Sequence, residues 1–416
     1  MRMVVLADDI TGAFDTGIQF AKRNASVLVV TGDHAVEERF RQAGDVLVVD
    51  AETRHMLPGQ ARKETNRLAQ LAYKNGAEYL YIKTDSGLRG HIAQAFAGAM
   101  EAWKADFAAF APAYPAMNRI TVDGVQLIDN VPLALSVFGS DLFNPVSASR
   151  VANLFTGSGL LAMNCIPGAW QEPQAAPTVG IFDVSKDEDF YRIAKELDRT
   201  GRLRITGGCA AFAAVLADYL NFGDLRRRNV PLEKPLLTIC GSLNPISLRQ
   251  LDWDEHHGGL RIHLRREQLL TPEYLDTPEG IAWLAELREQ LDGRRNVALD
   301  SCGAVLIDTQ TDGEGVEVTR GRVAKRLGEV IASLIHMRVD HRYLPFIIGG
   351  DTLMGFLRRM GNPEVTLVDE IAPGVVMFHL RQQGREILML SKSGGFGDDA
   401  LLGEIGSGTL GKVSAE

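Results

Sequence analysis

Cysteine is scarce in this chain of 416 residues: there are four, at Cys165, Cys209, Cys240 and Cys302. They form no C-x-x-C pair and have no histidine at ligand spacing. A disulfide framework and a structural zinc site are therefore not expected, and small buried thiols in a reducing cytoplasm fit best. The nine histidines include no H-E-x-x-H. Long apolar runs are also missing. The opening "MRMVVLADDI" meets two aspartates too soon for a signal peptide, and no stretch is long enough to span a membrane. Positive charge is outweighed, with a formal net charge of −9, which argues against nucleic acid or a polybasic membrane patch. No standard nucleotide fingerprint is present. "GSGTLGKV" at 406–413 ends in valine where a phosphate loop needs Ser or Thr, and "GSGLLA" at 157–162 reads as a turn into a strand.

What is there is ordinary globular material, 45% hydrophobic and 23% charged, and long enough for two domains. The apolar runs "MVVLA", "SVLVV", "DVLVVD", "EYLYIK" and "FAAFAP" alternate with helical stretches such as "TGAFDTGIQFAKR", "QARKETNRLAQLAYKNG" and "HIAQAFAGAMEAWKA". Continuous apolar strands separated by helices predict an α/β fold with a mainly parallel sheet covered on both faces. The alternation weakens between about Ile120 and Thr178, where "CIPGAWQEPQAAPT" is loop-like, and then resumes. The run "NFGDLRRRNVPLEKP" combines charge with two prolines and marks a domain boundary, giving domains over 1–225 and 235–416, the second also α/β.

Ligands of such sheets bind beyond the carboxyl ends of the strands. Three polar groups follow strands in the first half: Asp8-Asp9, then Arg54 in "DAETR", then Lys83, Thr84, Asp85 and Ser86, with Arg89 beyond. They should share one rim. An aspartate there can orient a hydroxyl or take its proton, Thr11 suits a helix N-cap, and arginine grips a carboxylate through two parallel hydrogen bonds. "IKTDSGLRGH" adds a lysine, an arginine and free amides at a helix start, a natural anion site. A capped turn with solvated side chains is the bland alternative for each group taken alone. In the second half Ser242 of "CGSLNP" either contacts a phosphate or caps the helix that Pro245 begins. Gly349, Gly350, Asp351 and Thr352, then Lys392, Ser393, Gly394 and Gly395, add glycines that let amides approach a polyphosphate.

These motifs, in this order, resemble those of the bacterial four-carbon acid sugar kinases. The resemblance runs through "ADDITGAFDTG", "DAETR", "IKTDSGLRG", "TVDGVQLIDNVPLALSVFGSDLFNPVSAS", "CGSLNPISLRQ", "GGDT" and "KSGGFG". It implies an N-terminal domain that binds a sugar acid and a C-terminal domain that binds a nucleotide. Asp8, Asp9, Arg54 and Lys83–Ser86 would hold the sugar acid, with Arg89 and Asp123 at its margin. Ser242, Gly349–Thr352 and the last glycine loop would hold ATP. Several positions depart from the family pattern. Gly87 stands where the family usually has Thr, Leu142 where it usually has Pro, and Asp351 where Glu is more common. Gly87 removes a hydroxyl and a methyl beside the sugar site, so it bears on which acid is used.

The reaction implied is ATP-dependent phosphorylation of the terminal hydroxyl of D-threonate, D-erythronate or an oxo-tetronate. Lys83 and Arg54 would orient the carboxylate. Asp8, Asp9 or Asp15 would receive the hydroxyl proton, and Mg²⁺ would bridge the phosphates with Asp351 as a partner. The expected partners are the sugar acid and ATP, with a homodimer as a further one. An NAD-dependent hydroxy-acid oxidoreductase is a second reading, opposed by the missing G-x-G-x-x-G. A non-catalytic ATP and sugar-acid binder is a third.

Overall fold

The computed structural model describes residues 1–31, 36–140, 145–169, 171, 173, 177–225, 232, 234–301 and 316–410, without the side chains of 316–318. Cys302, Leu142, residues 411–413 of the near-match "GSGTLGKV", and parts of "CIPGAWQEPQAAPT" and of the boundary run lie outside the described residues. The chain divides into two compact units, Met1–Arg226 and Arg227–Glu416.

The first unit contains strands β1 (Met3–Ala7), β2 (Val27–Thr31), β3 (Val46–Asp50), β4 (Tyr79–Lys83), β5 (Phe107–Ala111), β6 (Arg119–Val122), β7 (Val125–Ile128), β8 (Val131–Pro132), β9 (Leu161–Cys165), β10 (Thr178–Phe182) and β11 (Ile205–Gly208). Its helices are α1 (Ile10–Ala21), α2 (Val36–Gln42), α3 (Pro58–Lys74), α4 (Ile92–Trp103), α5 (Asp187–Arg199) and α6 (Ala210–Tyr219). Eight strands form one sheet in the order β2-β3-β1-β4-β11-β5-β10-β9, every pairing parallel. Residues of β1, β3 and β5 are buried throughout, as strands covered on both faces must be. Phe96 of α4 packs edge-on to Phe110 of β5 at 5.1 Å, while Phe212 of α6 tilts against Tyr81 of β4 at 6.3 Å. Gly98 lets α4 lie against the backbone of α3, because a Cβ there would stand 3.0 Å from the Asn66 amide nitrogen.

The stretch where the alternation weakened is not all loop. Strands β6, β7 and β8 form a small antiparallel sheet within it. In the large sheet the chain leaves β1 towards β2 and β3 but leaves β4 towards β5. The strand order therefore reverses at β1/β4, the place where parallel sheets leave a crevice for ligands.

The second unit contains β12 (Leu236–Cys240), β13 (Leu260–His263), β14 (Val297–Asp300), β15 (Leu344–Ile348), β16 (Val365–Ala372), β17 (Val375–Gln382) and β18 (Arg385–Lys392). Its helices are α7 (Pro245–His256), α8 (Arg266–Leu270), α9 (Pro278–Gln290), α10 (Val316–His336), α11 (Gly350–Arg359) and α12 (Leu401–Gly406). The order is β13-β14-β12-β15-β18-β17-β16. Pairings from β13 to β18 are parallel, and β18-β17 and β17-β16 are antiparallel hairpins. The sheet is mainly parallel with an antiparallel edge. Its core includes Phe346, Ile348, Met377 and Leu390. Cys165, Cys209 and Cys240 are free and buried.

Candidate functional site

In the first unit the three strand-end groups meet on one rim. Ala7 pairs in register with Asp50 of β3 on one side and with Lys83 of β4 on the other. The residues that follow each strand therefore emerge side by side. Asp9, not Thr11, is the N-cap of α1: its Oδ1 accepts from the Gly12 amide at 2.8 Å and its Oδ2 from the Thr11 hydroxyl at 2.8 Å. A carboxylate one residue before the helix reaches the free amides better than a hydroxyl already inside the first turn.

Arg54 is committed to the aspartates. Its Nε and one terminal nitrogen donate to the two Asp8 oxygens at 2.8 and 2.9 Å, and the other terminal nitrogen donates to Asp9 at 2.6 Å. The fork expected to grip a substrate carboxylate is thus closed on Asp8. Burial raises the Asp8 carboxyl above the usual range by more than Arg54 lowers it, with Asp9 adding to the rise. For Asp9 burial also raises, but Arg54, Lys83 and the Gly12 and Thr11 hydrogen bonds bring it below the usual range.

Asp85 and Arg89 form a second two-bond pair, at 2.7 and 3.1 Å. Burial opposes ionisation of Asp85, but Arg89, then Arg54 and Lys83, hold its carboxyl well below the usual range. The buried Ser86 hydroxyl accepts from Arg119 of β6. The Phe138 ring lies 5.3 Å from the Arg89 guanidinium and 5.2 Å from that of Arg119. Phe138 also occupies the space beside Gly87, where any Cβ would collide with the ring. The Thr84 hydroxyl is buried without a hydrogen-bond partner, beside a small cavity lined by Thr53, Asp8 and His91.

Lys83 is only 5% exposed, and among the described residues its ammonium makes no hydrogen bond or ion pair. It stands 2.9 Å from where a Cβ of residue 12 would be, so glycine at that position makes room for it. Asp15 is buried in α1 with Oδ1 unbonded. Asp123 is not on the rim: it is exposed in the β6–β7 turn, where its amide donates to Asp183.

The second unit repeats this construction. Cys240 pairs in register with Ile348, and Ile348 with Lys392, so "GSLN", "GGDT" and "SGG" leave adjacent strand ends. Asn244, not Ser242, caps α7, accepting from the Ile246 amide at 2.9 Å. Ser242 instead turns back to accept from the Asn244 amide at 3.2 Å. A Cβ at Gly394 would collide with the Ser242 hydroxyl, and Gly349 sits at φ 112°, conformation and closeness that only glycine tolerates. Gly350, Asp351 and Thr352 open α11, so their amides face the same rim. Asp351 is paired to Arg320 at 2.6 Å.

Ser247 and Gln250, one turn apart on α7, tie down the last glycine loop through the carbonyls of Gly394, Phe396 and Asp398. Lys392 is 1% exposed and, among the described residues, reaches only the Ser247 hydroxyl and the Ser393 carbonyl, at 3.4 and 3.3 Å. Burial lowers its pKa to about 8.

Sequence reasoning missed Arg119, Phe138, Ser247 and Gln250. The i, i+3 spacing of Ser247 and Gln250 was a readable signal for one helix face. Nothing local marked Arg119 or Phe138, which arrive from 33 or more residues away. Among the described residues no three His, Cys, Asp or Glu side chains form a metal cage, and no helix is long and apolar enough to cross a membrane.

The family described as a sugar-binding N-terminal domain matches residues 3–216, and that described as a nucleotide-binding C-terminal domain matches 237–402. Curated relatives include a D-threonate kinase of Salmonella typhimurium, 26% identical over 97% of both chains. A D-erythronate kinase of Heliobacterium modesticaldum is 22% identical over 89% of this chain and 88% of its own. A solved structure from Salmonella typhimurium LT2 shares the fold at a TM-score of 0.73 with 17% identity, covering 96% of this chain and 98% of that one. A Haemophilus influenzae structure does so at 0.68 with 18% identity, covering 97% and 98%. With both family matches laid along the chain, each over a unit whose strand ends carry its own polar rim, the chain belongs to the four-carbon acid sugar kinase family.

Proposed function

We propose that this kinase transfers the γ-phosphoryl group of ATP to the terminal hydroxyl of D-threonate or D-erythronate, giving the 4-phosphate and ADP. One observation carries the reading. Each rim holds a buried lysine, Lys83 or Lys392, that makes no direct ion pair with an acidic side chain among the described residues. Buried charges are normally paired, so each ammonium calls for an anion from outside the chain. A carboxylate answers the first and a phosphate the second, in keeping with the sugar-binding and nucleotide-binding matches.

The residues fit a polyphosphate. The Ser242 turn, the start of α11 and the Gly394 loop form a cradle that side chains would fill, and Lys392 lies at its floor. ATP supplies the phosphoryl group, and magnesium would enter with it, since Mg²⁺ takes much of its coordination from phosphate and water. Among the described residues there is no cage for it, and Asp351 is held by Arg320, so no step is assigned to a metal ligand. In the sugar-acid rim Asp8 is the better proton acceptor, because its carboxyl is raised while Asp9 is held down as the helix cap. Arg54 keeps both aspartates in place.

The test is coupled ADP release with Mg-ATP across four-carbon sugar acids, with phosphorus and carbon NMR locating the new ester. Turnover confined to these acids with the ester on C4 is expected. A folded protein that releases ADP with none of them overturns the reading.

A further inference from the structure

Arg54 cannot grip a substrate carboxylate through its Nε fork, because Asp8 fills it. The anion that Lys83 needs must therefore meet other donors, and the strand next to β4 supplies them. Gly208 of β11 is in register with Lys83, and the Thr84 amide donates to the Gly208 carbonyl at 2.8 Å. Gly207 and Gly208 let α6 begin flush with the end of the sheet: a Cβ on the first would stand 2.7 Å from the Ile82 carbonyl oxygen, and one on the second would collide with that of Ala111.

Helix α6 starts without a side-chain cap. The thiol of its N-cap residue, Cys209, donates to the Ala113 carbonyl at 2.8 Å, and its sulfur takes the Ala211 amide. The Cys209 carbonyl accepts from the Tyr81 hydroxyl at 2.5 Å. Tyr81 and Lys83 are two residues apart on β4, so they share the face that α6 covers. Ala210 and Phe212 are buried at 1% and 0%, and no hydrogen bond among the described residues starts from their amides. The Ala211 and Ala213 amides reach the Cys209 sulfur and the Tyr81 oxygen, which leaves those of Ala210 and Phe212 open at a buried helix start, within the field of a Lys83 ammonium that makes no hydrogen bond. An anion lying between them would meet the open amides and give Lys83 the direct partner that Asp8, Asp9 and Asp85 do not.

We infer that the carboxylate of the sugar acid sits between the Lys83 ammonium and the first-turn amides of α6, at Ala210 and Phe212, with Arg54 acting as a positioning residue for Asp8 and Asp9. This rests on the sugar-acid reading of the first unit. It assigns the segment 208–212 to substrate binding. The anion would complete the helix cap, gain the positive end of the helix dipole and pair with the lysine. It leaves the hydroxyl end of a four-carbon chain to the acidic side of the rim.

Calorimetric binding to the full-length protein without nucleotide tests this, using D-threonate, D-erythronate and the corresponding tetritols, which lack the carboxylate. Ala210→Pro removes one amide at a position where helices accept proline, after a residue whose ψ of −172° suits a following proline. Ala211→Asp, at a partly exposed first-turn position, places a rival carboxylate there and favours the helix. The wild type should prefer acids to tetritols. Both substitutions should weaken acid binding about 10- to 100-fold, the scale of a lost hydrogen bond to a charged group, and leave tetritol binding unchanged. Full acid affinity in either variant, with an unchanged melting temperature, overturns the subsite, as does equal wild-type affinity for acid and tetritol. ADP release is followed in parallel. Acid binding that obeys these expectations without transfer overturns the kinase reading and leaves the subsite standing.

Discussion

At the scale of single residues, the paired aspartates can be separated by experiment. Asp9→Asn keeps an equally good N-cap, so folding should be retained and kcat should fall modestly. Asp8→Asn removes the carboxylate assigned to the hydroxyl proton, and kcat should fall about 10²- to 10⁴-fold with a smaller change in KM. If the order of the two losses is reversed, Asp9 is the acceptor. Gly87 is a second residue with a definite consequence. The space for its side chain is taken by Phe138, which lies against two arginines of the rim. Gly87→Thr should therefore cost about 1–3 kcal/mol in denaturant unfolding, the usual scale of overpacking, and Phe138→Ala in the same chain should recover most of it. Unchanged stability in the single variant would mean that the ring moves aside freely. Lys392 supplies a pH signature. Its folded-state pKa is lowered from 10.5 to about 8 by burial. Between these values the unfolded chain binds more protons, so this group makes stability rise with pH across that window, and its burial penalty is fully present below it. Nucleotide affinity should run the other way, weakening as pH rises through about 8 and the ammonium is lost. Titrating ATP binding and unfolding free energy from about pH 6.5 to about pH 9.5, with Lys392→Met as a pH-flat control, checks both signs.

At the scale of elements, the two rims share one design: three parallel strands ending in register, glycines at the turns, and a lysine as the last residue of one strand. The glycine loop that completes the second rim is tied to α7. Gln250 donates from one nitrogen to the carbonyls of both Phe396 and Asp398. Gln250→Ala takes the donor from the buried Phe396 carbonyl and the part-buried Asp398 carbonyl, so unfolding free energy should drop by about 1–3 kcal/mol and ATP affinity should fall with it. A stability loss with normal ATP affinity would show that the loop is not part of the nucleotide site. Much of this scale was legible in the sequence. Continuous apolar runs such as "MVVLA" and "FAAFA" announce buried parallel strands, and the polar groups after them announce the rims. The short strands β6–β8 were not legible, because four residues that are buried only in part do not stand out from loop. Nor was the antiparallel edge: β16, β17 and β18 have the composition of buried strands, and direction is set by the turns at 373–374 and 383–384 rather than by the strands. Both caps lie two residues from the side chains the sequence offered, since Asp9 and Asn244 outreach Thr11 and Ser242 only once the backbone of the turn is known. The closure of Arg54 on Asp8 was invisible for a simpler reason: 46 residues separate them.

At the scale of the whole molecule, a chain with a net charge of −9 keeps a buried lysine at the strand ends of each unit, where the two proposed anionic ligands would meet it. Each unit has its own core, one built around residues such as Phe96, Phe110 and Phe155, the other around Phe346, Met377 and Leu390. Each unit also has its own buried lysine that makes no direct ion pair among the described residues. Binding energy should therefore appear first as local stabilisation of the unit that holds the ligand. A ligand at 100 times its Kd adds about 2.7 kcal/mol to the stability of the state that binds it. In hydrogen exchange, a four-carbon sugar acid alone should slow amides at the starts of α1 and α6 and around Thr84–Arg89, with little change in Arg227–Glu416. ATP analogues alone should slow amides of 241–244, the first turn of α11 and 393–397, with little change in Met1–Arg226. Protection by the sugar acid concentrated in the second unit would reverse the assignment of the two rims. Protection of α1 without α6 would keep the assignment but remove the carboxylate from the Gly208–Phe212 turn. The two ligands thus read out separately in one experiment, and the amides at the start of α6 distinguish a substrate held by its acid group from one held only by its hydroxyls.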